Sequence, residues 1–350
     1  MKYRPLTRGR IFLVALITFS FWVLAALLGL VYGSSDLGGL SLLHRLFASE
    51  LTLTEEAILF QARLPRVVFA GLVGAALAVG GAVFQAVLRN PLADPYILGI
   101  SGGAALGGTI LLALGSLTLG SLVIGTSLAA FAGAMAALLI IFGVARWTPP
   151  GRGATFVLLL TGVIVNAFAA SLIMFFQSVV SARKAQEILF YLMGSLAVEG
   201  TPPVVMIGAA LAISIALIVI YGFARDLNAL SLGEEEAAYL GVEVERVRRI
   251  TVIVASFAVA IAVAFSGIIG FVGLVVPHAV RLVLGPDHRV LLVGSAFGGA
   301  AFLTAADIAA RAAFPLLGTT LPVGVLTSMI GAPLFLYFLW RSLKETRQWH

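Results

Sequence analysis

Ten apolar stretches, most of them about twenty residues long, recur along this chain between short polar connections. A helix of roughly 20 apolar residues crosses the hydrocarbon layer of a bilayer with all its backbone groups paired internally. Because 61% of the residues are hydrophobic and only 11% are charged, a soluble fold is excluded. We predict an all-α integral membrane protein with about ten transmembrane helices. The predicted spans are 11–32, 67–88, 95–115, 121–145, 154–180, 203–224, 249–268, 271–285, 290–310 and 321–340.

A polar turn, Arg89–Pro95, separates the second and third stretches. Proline costs about 3 kcal/mol inside a helix, because it lacks an N–H group and its ring clashes with the preceding turn. Pro91 and Pro95 therefore mark a turn at the membrane surface rather than one continuous helix.

The basic residues predict the orientation of the chain. An inside N-terminus and ten spans place 16 of the 22 Lys and Arg residues on the inner side and six on the outer side. Inner loops of membrane proteins carry such an excess of positive charge. We therefore predict that both termini are cytoplasmic and that the basic segment Lys2–Arg10 precedes an uncleaved first span.

Several kinds of chemistry are excluded by composition. The absence of cysteine rules out disulfides, thiolate metal sites and cysteine nucleophiles. None of the lysines follows a glycine, so the chain has no Walker A loop for nucleotide phosphates. The four histidines show no metal-ligand spacing, and we predict neither a metal site nor catalytic residues. Basic residues lie at the ends of apolar stretches rather than in an aromatic-rich stripe, which argues against nucleic-acid binding.

The largest inner loop, 225–248, predicts two short helices. Ser231 and Glu234 have the spacing of a capping box, which predicts a helix over about 232–240. Gly241 fits the left-handed position that ends a helix, and a second helix then runs into the next span. Two interpretations stay open: a surface hairpin packed on its own membrane domain, or a docking element for a cytoplasmic partner.

Motifs along most of the chain resemble those of one family. They cover about residues 60–340 in the same order as in the permease subunit of type II ABC importers, the FecCD/BtuC-like family for iron-siderophore, haem and vitamin B12 uptake. The motifs are Arg63–Arg66, Gly80–Gln85, Asn90–Pro95, Leu98–Gly103, Leu230–Ala237 with Leu240 and Gly241, Gly267–His278 with Arg281, and Leu321–Pro333.

The resemblance implies an assembly in a bacterial inner membrane. The chain would form one transmembrane permease domain, 1–350, with residues 225–248 as its cytoplasmic coupling helices. Its expected partners are a second copy in a homodimer, two cytoplasmic ABC ATPase subunits and a periplasmic substrate-binding protein. ATP and Mg would bind to the ATPase, and this chain would bind no cofactor of its own.

The resemblance also implies roles for individual residues. Contacts with the ATPase are expected from Ser231, Gly233, Glu234, Ala237, Leu240 and Gly241. Docking of the binding protein is expected at the outer residues Arg63, Arg66 and Arg311. The alternative for these arginines is headgroup contact or an internal ion pair such as Asp307–Arg311, one helical turn apart.

Gate and pathway residues are expected on the third connection and the fifth span. Asn90 and Leu92 resemble an inner gate, and Thr155 would form its other side. Asn166 and Gln177 would face the cavity. Capping of helix ends is the alternative for Asn90 and Thr155, and bonding to a neighbouring helix is the alternative for the two intramembrane amides.

These residues predict the translocation subunit of an ATP-driven importer for a metal chelate. Ferric siderophore, haem and cobalamin all remain open as substrates, with iron chelates favoured as the commoner ones. An ion-coupled secondary transporter is the alternative, for which Asp307 is the main acidic residue within a span. A channel or scaffold is a third possibility, and it would not depend on a partner ATPase.

Overall fold

The computed structural model describes residues 7–32, 45, 48, 51–96, 98–115, 122–147, 152–196, 201–314 and 318–347. Within those ranges the regular structure is helical. In chain order the α-helices are α1 (Arg8–Val31), α2 (Leu53–Ala57), α3 (Leu64–Val87), α4 (Ile100–Leu114), α5 (Leu122–Ala145), α6 (Arg152–Val179), α7 (Ala182–Leu192), α8 (Pro203–Gly222), α9 (Ala224–Leu232), α10 (Glu234–Tyr239), α11 (Val244–Ser266), α12 (Val272–Leu284), α13 (His288–Ala312) and α14 (Val323–Arg347).

The number of spans agrees with the sequence. Seven helices in the described ranges are long and apolar enough to cross a membrane, and three shorter apolar helices accompany them. The shorter ones are α4, α12 and the apolar part of α14. The predicted all-α fold with about ten transmembrane helices is confirmed.

The second span begins earlier than its apolar stretch. Thr52 caps α2 through a capping box with Glu55, and a π-helical segment, Ile58–Arg63, joins α2 to α3. The helix is therefore continuous from Leu53, although the apolar stretch begins near residue 67. The charged side chains at this end shorten the apolar stretch, but they do not interrupt the helix.

Helix α3 is the centre of the fold and packs against α11, α12 and α13. Its approach to two neighbours leaves no room for a side chain. A Cβ atom at Gly74 would overlap the carbonyl oxygen of Gly299, and one at Gly299 would overlap that of Gly74. A Cβ atom at Gly81 would likewise overlap the carbonyl oxygen of Gly273. Small residues thus let the backbones touch, as is common between membrane helices.

The inner hairpin, from α9 to the start of α11, contains the two predicted helices as α10 and α11, but its capping differs from the prediction. Helix α9 continues through Ser231, whose hydroxyl donates to the carbonyl of Leu227 at 2.8 Å, as hydroxyls inside helices do. The break falls at Gly233, which precedes α10 and has a φ of 155°. The predicted capping box of Ser231 and Glu234 is therefore wrong. Gly241 has a φ of 82°, which confirms its predicted left-handed conformation.

Replacing Gly74 with alanine should lower the thermal stability of the protein. The added methyl group would push α3 away from α13 at a contact between two backbones. Such overpacking should lower the free energy of unfolding by about 2 kcal/mol. Gly208→Ala is the control, because nothing lies within 4 Å of a Cβ atom there and alanine favours a helix over glycine. Thermal unfolding in detergent compares the variants, and equal midpoints would contradict the close approach.

Candidate functional site

The inner turn, residues 88–96, is held in shape by Asn90. Its side-chain Oδ1 accepts from the N–H of Leu92 at 2.9 Å, and its carbonyl accepts from the N–H of Ala93 at 3.0 Å. The N–H of Asn90 donates to the carbonyl of Gln85 at 3.2 Å, which ends α3. These bonds present the exposed side chain of Leu92. The side chain of Asn90 thus shapes the turn and caps neither α3 nor α4, and the gate roles of Asn90 and Leu92 stay predictions.

The far end of the inner turn is fixed by Tyr96. Its hydroxyl donates to the carbonyl of Ile269 at 2.5 Å and accepts from the N–H of Ile269 at 2.6 Å. Asn166 on α6 donates its side-chain N–H to the carbonyl of Tyr96 at 2.5 Å. Asp94 is buried, and its Oδ1 accepts from the N–H of Tyr96 at 2.8 Å. The inner turn is thus bonded both to α6 and to the segment between α11 and α12.

The other predicted pathway residues lie on α6. Gln177 is half-buried near the outer end of this helix. Thr155 lies in the first turns of α6, and its side chain is outside the described residues. Whether Thr155, Asn166 and Gln177 line a pathway stays a prediction.

The six predicted ATPase contacts on the inner hairpin fall into a buried group and an exposed group. Gly233 and Ala237 are buried and Glu234 is partly buried, whereas Ser231, Leu240 and Gly241 are exposed. Sequence reasoning missed Tyr239, which is the most exposed of three apolar side chains on the hairpin. The exposed fractions are 69% for Leu232, 91% for Tyr239 and 66% for Leu240. An apolar surface of this kind is typical of a protein contact.

Charged side chains fasten the inner hairpin to the membrane domain. Glu234 Oε1 lies 2.5 Å from Nη2 of Arg248 on α11 and 3.8 Å from Nη2 of Arg89 in the inner turn. Arg248 is buried and also pairs with Glu245 at 2.8 Å. Glu234 therefore contacts two segments of the membrane domain, in addition to its place on α10.

A second attachment joins α9 to the start of α13. Asn228 donates its side-chain N–H to Oδ1 of Asp287 at 3.0 Å and accepts from the N–H of His288 at 2.8 Å. Burial raises the pKa of Asp287, but hydrogen bonds from Arg289 and Asn228 outweigh this effect and bring the pKa to about 2. The carboxylate is therefore ionised at neutral pH and caps α13 by accepting from the N–H of Arg289.

Two of the three outer arginines bind the end of α1. Arg63 donates to the carbonyls of Leu30 at 2.7 Å and Val31 at 3.0 Å. Arg311 donates to the carbonyl of Tyr32 at 3.0 Å and reaches that of Gly29 at 3.5 Å. The last carbonyls of a helix lack intrahelical partners and carry partial negative charge, which these guanidinium groups satisfy.

Asp307 joins the outer arginines. Its carboxylate accepts two bonds from Arg66, at 2.9 Å from Nη2 and 3.1 Å from Nε, and lies 2.9 Å from Nε of Arg311. Asp307 is 1% exposed, Arg63 4% and Arg311 5%, whereas Arg66 is half-buried. The internal Asp307–Arg311 pair considered from the sequence is present. Docking of a partner stays a prediction for all three arginines, and Arg66 is the best placed of them.

Comparison with known proteins places these features in a family context. Residues 21–341 match the FecCD transport family. Over 292 residues the chain is 47% identical to the cobalamin import system permease protein BtuC of Halobacterium salinarum, covering 82% of this chain and 74% of the relative. Over 331 residues it is 39% identical to the hemin transport system permease protein HmuU of Yersinia pestis, covering 93% of this chain and 96% of the relative.

A solved structure has the same architecture. It is described as an inward-facing conformation of a metal-chelate type ABC transporter, and it is 29% identical to this chain with a TM-score of 0.79. The superposition covers 94% of this chain and 99% of the solved one. The arrangement of helices described above is therefore that of a transporter permease.

Replacing Asp307 with asparagine should destabilise the protein strongly. The change leaves the buried Arg311 without its counter-ion, and removing one partner of a buried pair costs about 3–5 kcal/mol. Glu187→Gln is the control, because it removes the exposed partner of Arg183, where such a pair contributes roughly 1 kcal/mol or less. Thermal unfolding in detergent measures both, and a loss of stability no larger for Asp307→Asn than for the control would contradict the role of Asp307.

Proposed function

Because the chain belongs to the FecCD transport family, we propose that it is the membrane-spanning translocation subunit of an ATP-driven importer for a metal chelate. Separate ATPase subunits would bind ATP and Mg and would alternate the cavity between outward and inward states. The chain would contribute no catalytic residue, which makes it a transport permease rather than an enzyme.

The inner hairpin is the observation that carries this proposal. Its side chains Leu232, Tyr239 and Leu240 are exposed. Glu234 and Asn228 bond the hairpin to the membrane domain. An exposed apolar surface on a firmly attached hairpin suits a partner that exerts force on the permease. The sequence has no Walker A lysine of its own, which supports a separate motor.

The proposed assembly contains a second copy of this chain, two cytoplasmic ABC ATPases and a periplasmic substrate-binding protein in a bacterial inner membrane. The second copy is proposed from the membership in the family, and it would form a homodimer around a central pathway. On the outer side, Arg66 would meet a carboxylate of the binding protein. We propose no cofactor bound by this chain and no nucleic-acid partner.

The proposed substrate class is a metal chelate of the size of cobalamin, haem or a ferric siderophore. The relatives named for cobalamin and for hemin match 82% and 93% of this chain, so both support the class. They do not separate its members, because each is more than a third identical to this chain.

The structure offers little support for an ion-coupled transporter. Such proteins use an intramembrane ionisable group that changes its partner during transport. Asp307, the main acidic residue within a span, is buried between Arg66 and Arg311. A carboxylate whose oxygens already contact two guanidinium groups of the same chain is poorly placed to bind and release a transported ion.

Uptake in liposomes tests the proposed function. The chain is reconstituted with its cognate ATPase and binding protein, and cyanocobalamin, haemin and a ferric siderophore are offered in turn. We expect import of one of them to require ATP, because the chain itself supplies no energy source. Import driven by a proton or sodium gradient without ATP would overturn the proposal, and import of none of the three would reject the substrate class.

Replacing both Tyr239 and Leu240 with serine should weaken binding of the ATPase by at least tenfold. Each buried apolar side chain contributes about 1.5–3 kcal/mol to a contact, and both are exposed in the free chain. Val283→Ser is the matched control, because Val283 is an exposed apolar residue at the inner end of α12, outside the hairpin. Co-purification and titration of the detergent-solubilised proteins measure the affinity. Unchanged affinity, with the fold retained, would contradict docking at the hairpin.

A further inference from the structure

Glu234 lies where three segments of the chain meet. It is the first residue of α10 in the inner hairpin, it contacts Arg248 on α11, and it reaches Arg89 in the inner turn. The hairpin is the proposed contact with the motor, and the inner turn carries Leu92, the predicted gate residue. The carboxylate of Glu234 thus connects the hairpin with the inner turn. In the proposed function, movement of the hairpin has to reach the inner turn during transport.

The contact with Arg248 makes the hairpin and α11 move together. Arg248 is buried, and its guanidinium group is placed between Glu234 at 2.5 Å and Glu245 at 2.8 Å. A buried guanidinium group separated from its carboxylate is strongly unfavourable. A displacement of Glu234 is therefore shared with α11 rather than absorbed in the hairpin.

Arg89, the second partner of Glu234, has an unusual backbone conformation. Arg89 has a φ of 46°, a left-handed conformation in which glycine is unstrained and a residue with a Cβ atom is not. It follows Leu88, the C-cap residue of α3, at the position where glycine is the usual choice. Backbone hydrogen bonds at the end of α3 support this conformation, and the guanidinium group of Arg89 lies 3.8 Å from Glu234.

The opposite end of the inner turn is fixed. Tyr96 exchanges two hydrogen bonds with Ile269, and its carbonyl accepts from Asn166. A pull on Arg89 therefore cannot shift the whole turn and instead rotates the part between the two ends. That part contains Asn90 and the exposed Leu92.

We propose that Glu234 and Arg89 form a link that transmits displacement of the inner hairpin to the inner turn, with Arg248 as its anchor on α11. This inference rests on the proposed function, since it assumes that the hairpin is moved by an ATPase. Arg89 acts through Glu234 as a positioning residue, and it lies outside the predicted set of ATPase contacts.

Arg89→Gly is the variant that tests the link. It removes the guanidinium group and at the same time relieves the left-handed backbone. We expect the chelate imported per ATP hydrolysed to fall about two- to fivefold in the reconstituted complex, as for loss of a half-exposed ion pair, with ATP hydrolysis retained. If Arg89 served only the shape of the turn, glycine would preserve or improve transport, and that result would overturn the proposal.

Three further variants complete the test. Arg89→Lys should restore most of the chelate imported per ATP hydrolysed, because it keeps the positive charge. Arg8→Ala is the control, because Arg8 is exposed near the inner end of α1 and has no polar partner within the described ranges. In a double-mutant cycle, Arg89→Gly should add nothing to the defect of Glu234→Gln, and full additivity would contradict a shared contact.

A distance measurement separates this inference from the proposed function. The chain has no cysteine, so spin labels can be attached at Leu92→Cys and Tyr239→Cys alone, both exposed positions. In the purified chain, Arg89→Gly should broaden the distance distribution between the labels, and Arg8→Ala should not. An unchanged distribution would overturn the link even if uptake is ATP-driven. Absence of ATP-driven uptake in the unmodified complex would instead overturn the proposed function.

Discussion

The structure depends on pairing every backbone group within the apolar region, since lipid offers no hydrogen bonds. Two non-helical segments, the inner turn and residues 267–271, satisfy this requirement through each other and through side chains. Tyr96 bonds both backbone groups of Ile269, and the N–H of Ser195 donates to the carbonyl of Ser266 at 2.8 Å. These breaks in the helices exist because protein groups replace the missing intrahelical bonds. At the second break Ile269 is fully buried, whereas the inner turn lies at the end of α3 and exposes Leu92.

The same requirement explains where glycine is needed. Helix α3 and α12 touch at Gly81 and Gly273, and Gly273 also lies under the ring of Pro95, whose Cδ would be 2.8 Å from a Cβ atom there. A larger residue at Gly273 would separate α12 from α3 and would displace the inner turn. The position of this turn is thus determined at one side by close helix packing and at the other by Glu234 of the hairpin. A turn held by close helix packing on one side and by an ion pair on the other is a suitable place for a gate.

Most of the fold could be predicted from the sequence, because apolar length and the spacing of prolines report on the membrane directly. The start of the second span was missed, since Arg63 and Arg66 shorten its apolar stretch but find internal partners in α1 and Asp307. The pair of Arg66 and Asp307 joins residues far apart in the chain, which spacing cannot reveal. The capping box at Glu234 had the right spacing, but this carboxylate pairs with Arg248 instead. Local sequence patterns therefore predict the helices. Ion pairs and hydrogen bonds between residues far apart in the chain determine which partners the predicted site residues have.

The two charged clusters differ in how freely they can rearrange. At the outer side, Asp307, Arg63 and Arg311 are almost fully buried, and separating such a pair costs about 3–5 kcal/mol. At the inner side, Arg89 and Glu234 are both partly exposed, and a pair of this kind contributes roughly 1 kcal/mol or less. The outer ends of α1, α3 and α13 are therefore held together much more strongly than the inner turn is held to the hairpin. In the proposed function, movement of the hairpin would accordingly open the inner side while the outer arginine cluster acts as the fixed end.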